Sequence, residues 1–172
     1  MKRILIILLA TFTISFAFGQ NKGKTDKDDI KQVINTFMTC LVKKDSIKFY
    51  NLFNSDPVVW VGVFKGKTQQ DRISKDSTKK NYFISNYKSF YRSISDLGTD
   101  EEKFYNIKID NDESIATVSF EYSFLEKGQK INWGKESWHL VKIKDSWKIT
   151  SVIFSMDFEK VNPEPKKRKK QL

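Results

Sequence analysis

Two stretches decide the fold: DKDDIKQVINTFMTCLVKKDSIKFYNLF, residues 26–53, and GKESWHLVKIKDSWKITSVIF, residues 134–154. In the first, Ile30, Val33, Ile34, Phe37, Met38, Leu41 and Val42 recur at three- and four-residue intervals, the spacing that lines one side of an α-helix. Asp26, Asp28 and Asp29 crowd its first turn and Lys43 and Lys44 its last, as the helix dipole favours. One helix is therefore expected over 26–44. Asp45 or Ser46 then caps a second, short helix through Phe53, with Ile47, Tyr50, Leu52 and Phe53 inward. The second stretch reads as two strands joined at Asp145-Ser146. Helices first and a long meander last is the order of an α+β domain whose sheet curls around its helices.

Between these ends, PVVWV at 57–61 is β-rich and followed by Gly62, so a first strand is expected there. Residues 65–80 are polar, with Gly66, Ser74, Asp76 and Ser77, and read as a loop or a short helical turn. Residues 81–94 return to helical spacing through Phe83, Tyr87, Phe90, Tyr91 and Ile94. Strands are expected over 103–110, 114–125, 131–144 and 147–158, with turns at 111–113 and 127–129.

The chain opens on MKRILIILLATFTISFAFGQ, two cations before an apolar run from Ile4 to Phe18 and then small residues. This is the pattern of a secretory signal, with cleavage after Gly19; the run is shorter than the ~20 apolar residues a membrane-spanning helix needs. The expected organisation is a signal peptide at 1–19, a linker at 20–25, one domain at 26–158 and a basic disordered tail at 159–172. The mature protein is expected to be soluble and secreted or periplasmic. Its formal charge of +10 is mostly terminal: without Lys2 and Arg3 it is +8, and the KKRKK run at 166–170 carries five of those. A signal peptide argues against a nuclear role for that run, so no nucleic acid is expected; the run reads as a solvated disordered tail, with weak contact to an anionic surface as the alternative. Cys40, the one cysteine, has no partner for an internal disulfide and is expected as a small buried hydrophobe.

With the order helix, helix, strand, helix and four antiparallel strands in place, the chain resembles the nuclear transport factor 2 (NTF2)-like superfamily, the cone-shaped fold shared with ketosteroid isomerase and SnoaL-like proteins. The likeness is carried by the helix ending in Lys44-Asp45, by Phe49-Tyr50-Asn51-Leu52-Phe53, by Asp56-Pro57-Val58-Val59-Trp60, and by Ser146-Trp147-Lys148-Ile149-Thr150-Ser151-Val152. It implies about three N-terminal helices packed in a curved, mostly antiparallel sheet, with any chemistry in the mouth of the cone. Ketosteroid isomerase uses a tyrosine on the first helix, an aspartate base after the first strand and a protonated aspartate on a late strand. Those positions correspond here to Phe37, Val61 and His139. Two of the three are apolar, so steroid isomerisation is not expected.

His139 is the remaining candidate catalytic residue. On its strand it shares parity with Val141 and Ile143, which are expected to face the concave side, with Trp138 and Leu140 pointing away as a dimer-forming patch. Glu121 and Glu136 are expected on the convex face or an edge. A pocket of Phe37, Phe83, Tyr87, Phe120, Tyr122, His139 and Val141 follows, mainly apolar with two hydroxyls and an imidazole. One histidine and one cysteine make no metal cluster, and no cofactor is expected. Trp133 and Trp138 flank the most unusual local string, NWGKESW at 132–138, which reads as edge-strand packing or an aromatic platform. The leading functional reading is non-catalytic binding of a small apolar or amphipathic ligand in the cone of a homodimer. The alternatives are a SnoaL-like or dehydratase-like enzyme using His139, partnered by Tyr87 or Tyr122, and a structural homodimer with a filled cone.

Overall fold

The computed structural model describes residues 25–55, 57–94 and 100–166. The expected signal segment, most of the linker, and positions 167–172 of the tail lie outside them. Among the described residues no helix is long and apolar enough to cross a membrane.

The first helix, α1, spans Asp26–Lys43. Thr25 caps it: its hydroxyl accepts from the Asp28 N–H, and the Asp28 carboxylate accepts from the Thr25 N–H in return. Lys44 ends it in the left-handed region, at φ 55°. The stripe falls as its spacing requires, with Ile30, Ile34, Phe37, Cys40 and Leu41 buried. Cys40 is the small buried group expected of it, and desolvation raises its thiol pKa. A short helix, α2, follows at Ser46–Tyr50, capped by Asp45 accepting from the Lys48 N–H.

The remaining elements are β1 (Val59–Phe64), α3 (Gly66–Lys75), β2 (Tyr82–Ile84), α4 (Tyr87–Ser93), β3 (Glu101–Asn111), β4 (Ile115–Glu126), β5 (Gln129–Ile143) and β6 (Ser146–Phe158). The strands form one curved, open sheet in the order β2-β1-β6-β5-β4-β3. Every pairing is antiparallel except β1 with β6, which is parallel. The helices fill the concave side. Phe37 of α1 is the hub, with ring centroids 5.0 Å from Phe49, 5.8 Å from Phe104 and 4.9 Å from Trp138.

Four helices are present among the described residues rather than about three. The extra one, α3, lies in the segment expected as a loop or a short helical turn. Its one buried residue is Thr68, so no apolar stripe announced it. The hydroxyl of Thr68 instead donates to Asp157 Oδ1 at 2.7 Å and accepts from the Phe158 N–H at 3.0 Å. The helix expected over 81–94 is divided into β2 and α4, with Asn86 capping α4 by accepting from the Ser89 N–H.

Residues 159–166, expected to be part of a disordered tail, lie against the sheet. Trp133 Nε1 donates to the Asn162 carbonyl at 2.8 Å, Asn162 Nδ2 donates to Asp157 Oδ2 at 2.8 Å, and Lys130 pairs with Glu164 at 2.6 Å. Trp133 is thus covered by this strap, with Lys65 Nζ 3.7 Å from its ring centre.

Candidate functional site

Strand parity decides what faces the concavity. On β4 the buried set is Ala116, Val118, Phe120 and Tyr122; on β5 it is Gly134, Glu136, Trp138 and Leu140. Trp138 and Leu140 therefore point into the core, where neither can form the expected dimer patch. His139 and Val141 point to the outer face, the reverse of the expected orientation. Nδ1 of His139 lies 2.8 Å from Ser151 Oγ. The apolar Val141 and Ile143 misled because the outer face is apolar too: Val59, Ile115, Ile143 and Ile153 are all exposed. Glu121 is on the outer side as expected. Glu136 is not.

The concave side holds a cavity of about 540 Å³ between the sheet and α4. Of the expected pocket residues, Phe83 and Tyr122 line it. Phe37 is wholly inside the core, Tyr87 is stacked on Phe53 at 4.3 Å, and Phe120 lies against Phe104 at 4.1 Å. His139 and Val141 are on the other face. The sequence reading had left out Trp60, Phe90, Phe124 and Phe154, which supply the aromatic walls, and the carboxyl groups of Asp100, Glu102 and Glu136.

Those carboxyls give the cavity its chemistry. Glu136, on β5 beside Phe120 and Phe154 in register, is 5% exposed. Desolvation raises its pKa to about 8 despite the opposing hydrogen bond from Trp138 Nε1, at 2.5 Å. Glu102, on β3 and 7% exposed, is pushed well above the usual carboxyl range, first by burial and then by the charge of Glu136. Two carboxyls facing one low-dielectric space do not both ionise readily. Tyr122 is raised by burial and by Glu136, Glu102 and Asp157, and its hydroxyl donates to the Ser155 carbonyl at 3.2 Å. Asp100 is buried, with Lys44 Nζ 3.9 Å away. Among the described residues no three His, Cys, Asp or Glu groups are arranged to hold a metal ion. The signal for Glu136 was present in the sequence as its shared parity with Trp138 and Leu140.

No known family model matches the chain, and no curated protein matches its sequence. Solved structures do match in fold. A protein from Nostoc punctiforme with a cystatin-like fold is 14% identical, with a TM-score of 0.55 over 77% of this chain and 91% of that one. An NTF2-like protein of unknown function from Shewanella baltica is 14% identical, with a TM-score of 0.52 over 76% and 93%. An NTF2-like protein from Cytophaga hutchinsonii is 9% identical, with a TM-score of 0.56 over 77% and 99%.

Proposed function

We propose that this chain, which has the NTF2-like fold, binds a small apolar or amphipathic molecule in the concavity of its sheet and performs no chemistry on it. The observation that carries this reading is the cavity of about 540 Å³, walled by aromatic rings and furnished with a few buried polar groups, the composition of a small-molecule site. The further parts of the proposal are a signal-cleaved, extracytoplasmic protein and a homodimer joined through the outer sheet face, where Val59, Ile115, Ile143 and Ile153 stand exposed. Native mass spectrometry of the purified protein tests it. A retained small-molecule mass, lost in Ser89→Trp, which fills the cavity from α4, is the expected result. The filled-cone reading is favoured instead if no mass is retained and the neutral dye Nile red binds wild type and Ser89→Trp alike.

A second reading, an enzyme of the SnoaL-like or dehydratase kind, is favoured by one observation, the buried Glu136 carboxyl with its pKa near 8. A group so poised serves as acid or base at neutral pH. In this reading Glu136 replaces His139 as the proton-transferring residue, because the imidazole lies across the sheet from the cavity. Turnover abolished by Glu136→Gln and kept by His139→Ala is its signature.

A further inference from the structure

The chain carries 31 Lys and Arg against 21 Asp and Glu, yet among the described residues those lining the cavity include Asp100, Glu102, Glu126 and Glu136 and no Lys or Arg. Lys44 Nζ lies 3.9 Å from Asp100, and Lys43 and Lys103 border a separate surface groove that Glu102 also lines, without an ion pair to it among the described residues. Glu102 is 7% exposed, lines the cavity from β3, and has no hydrogen bond or ion pair among the described residues. Glu136 has a single side-chain hydrogen bond among the described residues, from Trp138 Nε1. A carboxyl buried without a counter-charge is costly to keep. Around these two stand Trp60, Phe90, Phe124 and Phe154, whose ring faces attract cations.

From this juxtaposition of unpaired buried carboxyls with aromatic walls, we infer that the cavity takes a small organic cation, an amine carried on an apolar or aromatic skeleton. The inference rests on the proposed reading that the cavity is a ligand site, and adds the sign of the ligand's charge. The raised pKa values of Glu102 and Glu136 agree with it: burial without a nearby positive charge disfavours their ionised forms. An ammonium group entering at neutral pH forms a charge-assisted hydrogen bond to Glu136 or Glu102 and displaces that carboxyl's proton to solvent. The other groups facing this space are Tyr122 from β4, Glu126 at its rim, and Asp100 with Lys44. Among the described residues none of them forms an ion pair with Glu102 or Glu136.

The test uses the full chain, Nile red as reporter of the cavity, and three competitors on one skeleton: 3-phenylpropylammonium, 3-phenylpropan-1-ol and 3-phenylpropanoate. The expected order places the ammonium about tenfold or more ahead of the alcohol, with the carboxylate weakest. Calorimetry in two buffers of different ionisation enthalpy should show proton release at pH 7 for the ammonium only. Glu136→Gln, whose amide oxygen still accepts from Trp138, and Glu102→Gln should each reduce that preference, read as the ratio of ammonium to alcohol competition within the same variant. If the dye binds wild type and Ser89→Trp alike, the cavity reading itself fails. If the dye binds wild type selectively but the alcohol or carboxylate competes as well as the ammonium, or none competes, the cavity reading stands and the cation inference is overturned.

Discussion

A Cβ placed on Gly134 would lie 1.8 Å from the Ser155 carbonyl oxygen. The two backbones meet where the β5–β6 register runs from Trp133↔Asp157 to Glu136↔Phe154 with no pair between. That same carbonyl accepts the Tyr122 hydroxyl, and Ser155 Oγ accepts the Lys135 N–H. Gly134→Ala must therefore displace β6 and the ring that leans on it. The expected loss is about 1–3 kcal/mol, as for overpacked sites. Urea unfolding with an unchanged midpoint would contradict so close an approach.

The acid pair sets a pH dependence. Glu136 has a folded pKa of about 8 against an ordinary 4.5, and Glu102 is shifted the same way, so the folded state holds more protons than the unfolded one across that interval. Stability is then greatest below about pH 4.5 as far as these groups are concerned, and falls as pH rises toward 8, by at most about 1.4 kcal/mol per pH unit for each titrating group. Melts between pH 5 and 8 should show a declining Tm, and Glu136→Gln should flatten the decline. A Tm rising over this range would refute the assignment.

Asp157 is 1% exposed and ties three segments together. Burial raises its pKa, but hydrogen bonds from Thr68 and Asn162 and the Lys65 ammonium at 3.0 Å outweigh it, so the carboxylate is held below its ordinary value. Asp157→Ala should cost about 3–5 kcal/mol, as for a buried pair broken on one side. Hydrogen exchange should accelerate in α3 and in residues 159–166 more than in α1. Uniform acceleration would mean that the carboxylate does not anchor those two segments.

Neighbours on β5 should behave oppositely. Trp138 is fully buried against Phe37, and Trp138→Ala is expected to cost about 3–5 kcal/mol. His139→Ala removes a half-exposed contact to Ser151 and should cost about 1 kcal/mol or less. Reversed values would restore the parity read from sequence.

The proposed homodimer predicts a dimer mass by light scattering at about 50 µM. Ile153→Lys, on the exposed outer face, should shift it to monomer with the Tm little changed. A wild-type monomer at that concentration would remove the proposal.

Much of the fold was legible because α1 writes its stripe plainly and the last four strands alternate between clear turns. The site was less so, because β5 carries apolar side chains on both faces, Trp138 and Leu140 on one and Val141 and Ile143 on the other. Its alternation runs unbroken from Gly134 to Leu140, so assigning the wrong face to one residue turns all of them. Glu136 went unseen for that reason, and α3 because a hydroxyl–carboxylate pair, Thr68 with Asp157, holds it where an apolar face usually would.

The parallel seam between β1 and β6 governs how the protein is built in time. It joins Val59 to Ser151 and Phe64 to Met156, partners about 90 residues apart, while β3, β4 and β5 zip to near neighbours. Loop closure over that distance must come before the seam contributes any stability, which is the signature of slow folding. During synthesis the meander through β5 can assemble while β1 waits, its edge open, for a strand not yet translated. Trp60 and Phe154, walls of the cavity whose ring centres end 6.3 Å apart, stay unacquainted until then. The cavity is thus the last part of the molecule to come into existence, and the interval before β6 docks is when the chain most needs protection from aggregation.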